Sequence, residues 1–259
     1  MTLSVGTQIF NGVGDSIDKT NNDKFKNIVD WWRREFKVIL AEFVSTMLLL
    51  FLGCMTTVPQ SGFDIQPPMY SPIGFCMVVI FNITTFGHIS GAHMNPSVTL
   101  SAVIWGKVSI PLGIMYVVAQ CGGAIVGYGL LLSVSPVDLL TDSIGATLLH
   151  PQLTVYQGLV IEVFLSAALG FINCAVWDPV NKEKQDAIPL KFGFTIAALS
   201  LAGGPLTGAS MNPARSLGPI VWSGNWQFHW IFWVGPIIGG AFAPIIYKLV
   251  WLDKSNKEF

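Results

Sequence analysis

The chain has 259 residues, of which 52% are hydrophobic and only 11% charged, with a formal net charge of −1. A soluble domain carries about 25% charged residues, so a soluble enzyme or binding domain is excluded, and no nucleic-acid partner is expected. Apolar runs long enough to cross a bilayer, about 20 residues each, fill most of the sequence and leave nothing for a second domain.

In chain order, residues 1–34 are polar and read as a mobile cytosolic segment without a cleavable signal. The segment closes on Trp31 and Trp32 beside Arg33 and Arg34, an interfacial anchor pattern. Spans are predicted at about 38–58, 71–89, 109–133, 154–176, 188–203 and 229–251, the fifth being the shortest. Two apolar stretches, about 95–105 and 212–222, are too short to cross and read as re-entrant half-helices. Residues 35–251 thus form one membrane domain, followed by a cytosolic tail at 252–259. The fold class is an all-α membrane protein. Its cysteines, Cys54, Cys76, Cys121 and Cys174, fall in or beside spans, so no disulfide is expected. The glycosylation pattern Asn82-Ile83-Thr84 lies inside a span and should stay unmodified.

The charges orient the chain. Thirteen of the 14 basic residues cluster before span one, between spans two and three, around the junction of spans four and five, or near the end of the chain. The loops at 59–70 and 134–153 hold neither Lys nor Arg. The positive-inside rule makes the basic side cytosolic. Both termini are then cytosolic, which needs an even number of spans. Arg215 is the exception, alone on the outer half. An arginine near membrane depth is a functional candidate by default.

Two phrases repeat. Residues 90–97 read SGAHMNPS and residues 207–214 read TGASMNPA, with Asn95 and Asn212 117 residues apart. Gly122-Gly123-Ala124 and Gly239-Gly240-Ala241 share that offset. The chain is read as two units, about 35–133 and 154–251. Three spans per unit invert the second against the first, so the half-helices enter from opposite faces and meet near the midplane. Pro96 and Pro213 suit a first helical turn. Asn95 and Asn212 then sit at N-caps, and each helix points a positive end, about half a charge, at the centre. Facing positive ends disfavour cations. A central water accepts from both asparagines and donates poorly, which interrupts a proton wire. Ser97 and Ala214 complete the two motifs. The approach segments, with Gly91, Ala92, His93, Gly208, Ala209 and Ser210, are predicted to be extended and to line a pore with carbonyls. The site conducts neutral, hydrogen-bonding solutes.

Glu42 and Glu162 hold matching places in spans one and four. Buried carboxylates need donors, so both are read as braces for the re-entrant loops. A proton relay is the alternative. The paired glycines are read as close helix contacts. His88 is read as structural, and a gating histidine is the competing reading.

These residues resemble the aquaporin, or major intrinsic protein, family over about 35–250. The paired Asn-Pro motifs, the SGAH and NPARS phrases, the two span glutamates and HWIFWVGP at 229–236 carry the resemblance. It implies a six-helix bundle with two half-helices, a homotetramer with one pore per subunit, and no cofactor or bound metal. Ser97 stands where the family usually has alanine. The family's outer constriction then maps onto Phe75, Ser200, Ala209 and Arg215. Water-selective members carry histidine where this chain has Ser200. Serine is smaller, so the constriction widens; Phe75 offers an apolar face and Ser200 and Arg215 offer hydrogen bonds, as a polyol requires. Ser216, Phe232 and Trp233 match the water-channel type instead. That combination resembles the insect glycerol-transporting branch called entomoglyceroporins.

The resulting expectation is a passive channel for glycerol, other small uncharged solutes such as urea, and water, embedded in the bilayer of the cell membrane and excluding ions and protons. A water-selective channel is the near alternative. An energised secondary transporter would need an exposed intramembrane acid, and the only acids there are Glu42 and Glu162. A scaffold role finds no docking surface in the short outer loops. No nucleophile–base set, metal cluster or phosphate loop supports an enzyme.

Overall fold

The computed structural model describes residues 4–59, 67–141 and 143–253, with side chains at Lys26 and from Ile28 onward. Among these residues the regular structure is helical. The chain divides into two compact parts, residues 1–38 and 39–259. The described backbone of the first is the leading part of helix α1, Ser4–Met55. The second is a helical bundle: the rest of α1, then α2 (Tyr70–Ser90), α3 (Pro96–Trp105), α4 (Ile110–Val134), α5 (Val155–Trp177), α6 (Ile188–Thr207), α7 (Pro213–Ser223) and α8 (Ile231–Val250). Six helices are long and apolar enough to cross a membrane: α1 from Ile28, α2, α4, α5, α6 and α8. The protein is a multi-pass membrane protein built from two half-helices and six spans. Most of the loop predicted at 59–70 and of the tail at 252–259 lies outside the described residues.

Two boundaries differ from the sequence reading. Helix α1 begins at Ser4, well before the first apolar run. Helix α6 continues through Gly203-Gly204-Pro205 to Thr207, although that triplet reads as a breaker. Pro205 sits in the last turn, where its missing N–H frees only one carbonyl of the ladder.

Small residues decide how closely the spans approach. Gly123 on α4 lies against the Phe43 carbonyl and the Met47 amide of α1. Gly239 on α8 lies in the same way against the Val163 carbonyl and the Ala167 amide of α5. Phe43 and Val163 directly follow Glu42 and Glu162, so these two glycines are the structural equivalents. The repeated Gly-Gly-Ala phrases are therefore one residue out of step with the fold. Gly240, read from the phrase as a twin of Gly123, instead faces Ser97 of α3.

Each half-helix leans on the opposite unit: α3 packs on α8, and α7 on α4. Hydroxyls fasten the first of these contacts. Ser97 Oγ donates to the Pro236 carbonyl at 2.6 Å, and Ser101 Oγ donates to the Gly240 carbonyl at 2.6 Å. Pro244 lacks the N–H that would otherwise bond the Gly240 carbonyl, so Ser101 supplies the missing donor. At the far end of α3, Lys248 Nζ donates to the Ile104 and Trp105 carbonyls at 3.1 and 2.9 Å. A cation there offsets the negative end of the half-helix.

Candidate functional site

The two Asn-Pro steps start the half-helices. Asn95 Oδ1 accepts from the Ser97 amide at 2.8 Å. Asn212 Oδ1 accepts from the amides of Ala214 and Arg215 at 3.0 and 3.2 Å. Pro96 and Pro213 each occupy the first turn. The side-chain amides then reach across. Asn95 Nδ2 donates to the Met211 carbonyl at 2.9 Å, and Asn212 Nδ2 donates to the Met94 carbonyl at 2.8 Å. The orientation of each amide is thereby fixed, because its oxygen is held by its own helix and one N–H by the opposite loop. The second N–H of each remains available.

The approach segments are not extended. Gly91, Ala92 and Met94 have φ of 89°, 47° and 52°, and Gly208, Ala209 and Met211 have 77°, 47° and 52°. Left-handed alanine and methionine are unfavourable by about 1–2 kcal/mol each, and the same pattern occurs twice. The surroundings enforce it. Ala92 N–H donates to Ser90 Oγ at 3.1 Å, and Ala209 N–H donates to Thr207 Oγ1 at 3.2 Å. Both hydroxyls in turn donate to a glutamate at 2.6 Å.

Those glutamates are fully buried. Glu42 accepts from the amides of His93 and Met94, each at 2.8 Å, and from Gln120 Nε2 at 2.8 Å. Glu162 accepts from the amides of Ser210 and Met211 at 3.0 and 2.9 Å. Left-handed turns aim these consecutive N–H groups at one carboxylate, which an extended segment would point to alternate sides.

Between the loops runs one cavity of about 1000 Å³, lined by both asparagines and by Gly91, Ala92, His93, Gly208, Ala209 and Ser210. Phe75, Ser200, Ala209 and Arg215 are among the residues that line it. Arg215 Cζ lies 5.1 Å from the Phe75 ring centre, and its Nη1 donates to the Gly145 carbonyl at 2.6 Å. His88, Trp177 and Asp186 also line the cavity. His93 Nδ1 is 3.2 Å from Thr99 Oγ1, which accepts from Gln120 Nε2 at 2.9 Å. Ser97 and Ala214 sit behind the asparagines, buried away from the cavity. Among the described residues, no group of three or more His, Cys, Asp and Glu side chains could hold a metal.

Sequence reasoning did not single out Ser90, Thr207, Gln120 or Gly145. The first two had a visible signal, a hydroxyl opening each repeated phrase. Gln120 and Gly145 act from a distant helix and loop, and neither is repeated.

Paired half-helices meeting at their amino ends inside an inverted six-span bundle define a membrane channel protein. A profile of the major intrinsic protein family matches residues 31–247. Mouse aquaporin-4 is 38% identical over 230 residues, 88% of this chain and 70% of the relative. Mouse aquaporin-8 is 32% identical over 235 residues, 88% of this chain and 87% of the relative. The X-ray structure of the aquaglyceroporin from Plasmodium falciparum superposes with a TM-score of 0.70 at 22% identity, covering 83% of this chain and 96% of that one. The chain belongs to the major intrinsic protein family, the aquaporins, and is a channel rather than an enzyme.

Proposed function

We propose that this channel passes glycerol, other small uncharged solutes such as urea, and water, and excludes ions and protons. The observation that supports the reading is that Phe75, Ser200, Ala209 and Arg215 all line the cavity, with no imidazole among those four. Ser200 leaves space and a hydroxyl where a ring would narrow the constriction. Arg215 and Ser200 pair with the hydroxyls of a polyol, and Phe75 receives its carbon backbone. Unmet polar walls on every side would reject that backbone through their desolvation cost. At the centre, the remaining amide N–H of Asn95 and of Asn212 orients passing solutes. The positive helix ends, about half a charge each, repel cations. Glu42 and Glu162 act as braces and do not meet the solute.

In this reading the protein sits in the cell membrane with both termini cytosolic. It assembles as a homotetramer and falls in the insect glycerol-transporting branch. A water-selective channel is the second reading, favoured by Ser216, Phe232 and Trp233. The Ser216 hydroxyl lies in a buried network of neutral hydroxyls, 2.7 Å from Thr147 Oγ1 and 2.6 Å from Ser210 Oγ.

Water and glycerol permeabilities of the purified protein in vesicles test the proposal. Both should exceed those of empty vesicles. Ser200→His should lower glycerol flux about tenfold or more, with water flux within about twofold of native, the gap that roughly 1–2 kcal/mol at a barrier produces. Absence of glycerol flux in the native protein would leave the water-selective reading. Equal loss of both fluxes in the variant would remove Ser200 from the constriction.

A further inference from the structure

The Arg215 guanidinium hangs on a backbone carbonyl, and a carbonyl is only as fixed as its chain. Gly145 belongs to the loop between α4 and α5, and both Gly145 and Ala146 line the cavity. Its φ of 79° is left-handed. A Cβ at this position would lie 3.2 Å from Cys54 Cβ and 3.3 Å from Cys54 Sγ, so α1 leaves no room behind it. The neighbouring Ile144 carbonyl accepts from Tyr128 Oη at 2.6 Å. Tyr128 is 1% exposed and projects from α4. Two residues further on, Thr147 Oγ1 reaches Ser216 on α7. The loop is thus fastened on both sides of the carbonyl that holds the arginine. Two fastenings come from outside the re-entrant loops: the Cys54 thiol of α1, a weak donor 3.9 Å from the Gly145 carbonyl, and the shorter bond from Tyr128.

We propose that Tyr128 is a positioning residue for the outer constriction. Its hydroxyl fixes Ile144, and through it the Gly145 carbonyl that keeps the Arg215 guanidinium against the wall. Without that bond the loop shifts, and the guanidinium spends part of its time in the lumen. A solute with a carbon backbone needs the full opening and suffers more than water does. The inference rests on Phe75, Ser200, Ala209 and Arg215 forming the selective constriction.

The test compares native protein, Tyr128→Phe, Gly145→Ala and Ser200→His in vesicles, with water, urea and glycerol fluxes normalised to incorporated protein. Phenylalanine keeps the ring and removes only the hydroxyl. The expected result is a glycerol-to-water ratio lowered about two- to tenfold in Tyr128→Phe, the range that one lost hydrogen bond of ordinary strength spans. Gly145→Ala, strained at its φ and crowded by Cys54, should lower the ratio in the same direction. It carries the test if Tyr128→Phe does not fold. A purely structural role would scale all three fluxes together. An unchanged or raised ratio in folded Tyr128→Phe, or proportional loss of all fluxes, overturns the inference. If Ser200→His lowers the ratio while the other two do not, the constriction stands and only the role of Tyr128 falls. If the native protein passes neither glycerol nor urea, the wide constriction and this inference fall together.

Discussion

The two re-entrant loops share a backbone and differ in what holds it. Both place left-handed residues at the same steps, and both give two consecutive amides and a hydroxyl to a buried glutamate. The first glutamate also receives Gln120 from α4. In the second unit the corresponding place on α8, three residues before the equivalent glycine, is Pro236, which has no side-chain donor. The second loop is tied sideways instead, through Ser210, Ser216 and Thr147, to the outer loop. The backbone path is set by the carboxylate and the amides it gathers. The remaining side chains decide what else each loop is coupled to. For the first loop that is the core of the bundle, and for the second it is the rim beside Arg215.

The largest expected effect separates the two braces. Glu162→Ala leaves the Ser210 and Met211 amides without their acceptor, at about 1–3 kcal/mol for each buried group. Folded protein and water flux should both be lost, as read by size-exclusion profile and vesicle shrinkage. Glu42→Ala should be milder, because the Gln120 amide, with an unpartnered buried oxygen, can turn that oxygen toward the loop. Equal damage in both variants would show that Gln120 offers no reserve. A middle effect is expected for Gln120→Leu. It removes one donor from Glu42 but leaves both amide bonds, so the thermal midpoint should fall by the equivalent of about 1–2 kcal/mol with selectivity kept. The smallest effect belongs to Ser97→Ala, which gives the first motif the Ala of the second. Losing the bond to the Pro236 carbonyl should cost about 0.5–1.5 kcal/mol in thermal stability, and the solute preference should not change.

Most of the architecture was legible in the sequence because a bilayer demands long apolar runs and punishes lone polar steps. Asn95, Asn212, Glu42, Glu162 and Arg215 stood out as polar residues at depth, and duplication supplied a second copy of all but the last. Helix α1 before residue 38 escaped, since a polar helix has no apolar period to betray it. The left-handed turns escaped because alanine and methionine carry no sign of φ. That conformation is imposed by a glutamate some 50 residues away in the sequence. Gly145 escaped for a related reason: it acts through its carbonyl, which any residue type has, and Tyr128 acts on the carbonyl of the neighbouring Ile144. The paired glycines misled by one position, because a repeated word marks descent whereas a contact marks geometry.

The exchange of amide bonds between Asn95 and Met211, and between Asn212 and Met94, has a consequence for how the molecule is made. The acceptor for Asn95 lies 116 residues downstream. While the amino-terminal half alone has left the ribosome, its asparagine has nothing to hold, and its loop has a carbonyl still waiting. The centre of the conduit therefore cannot be cross-tied until residues 211 and 212 have been made.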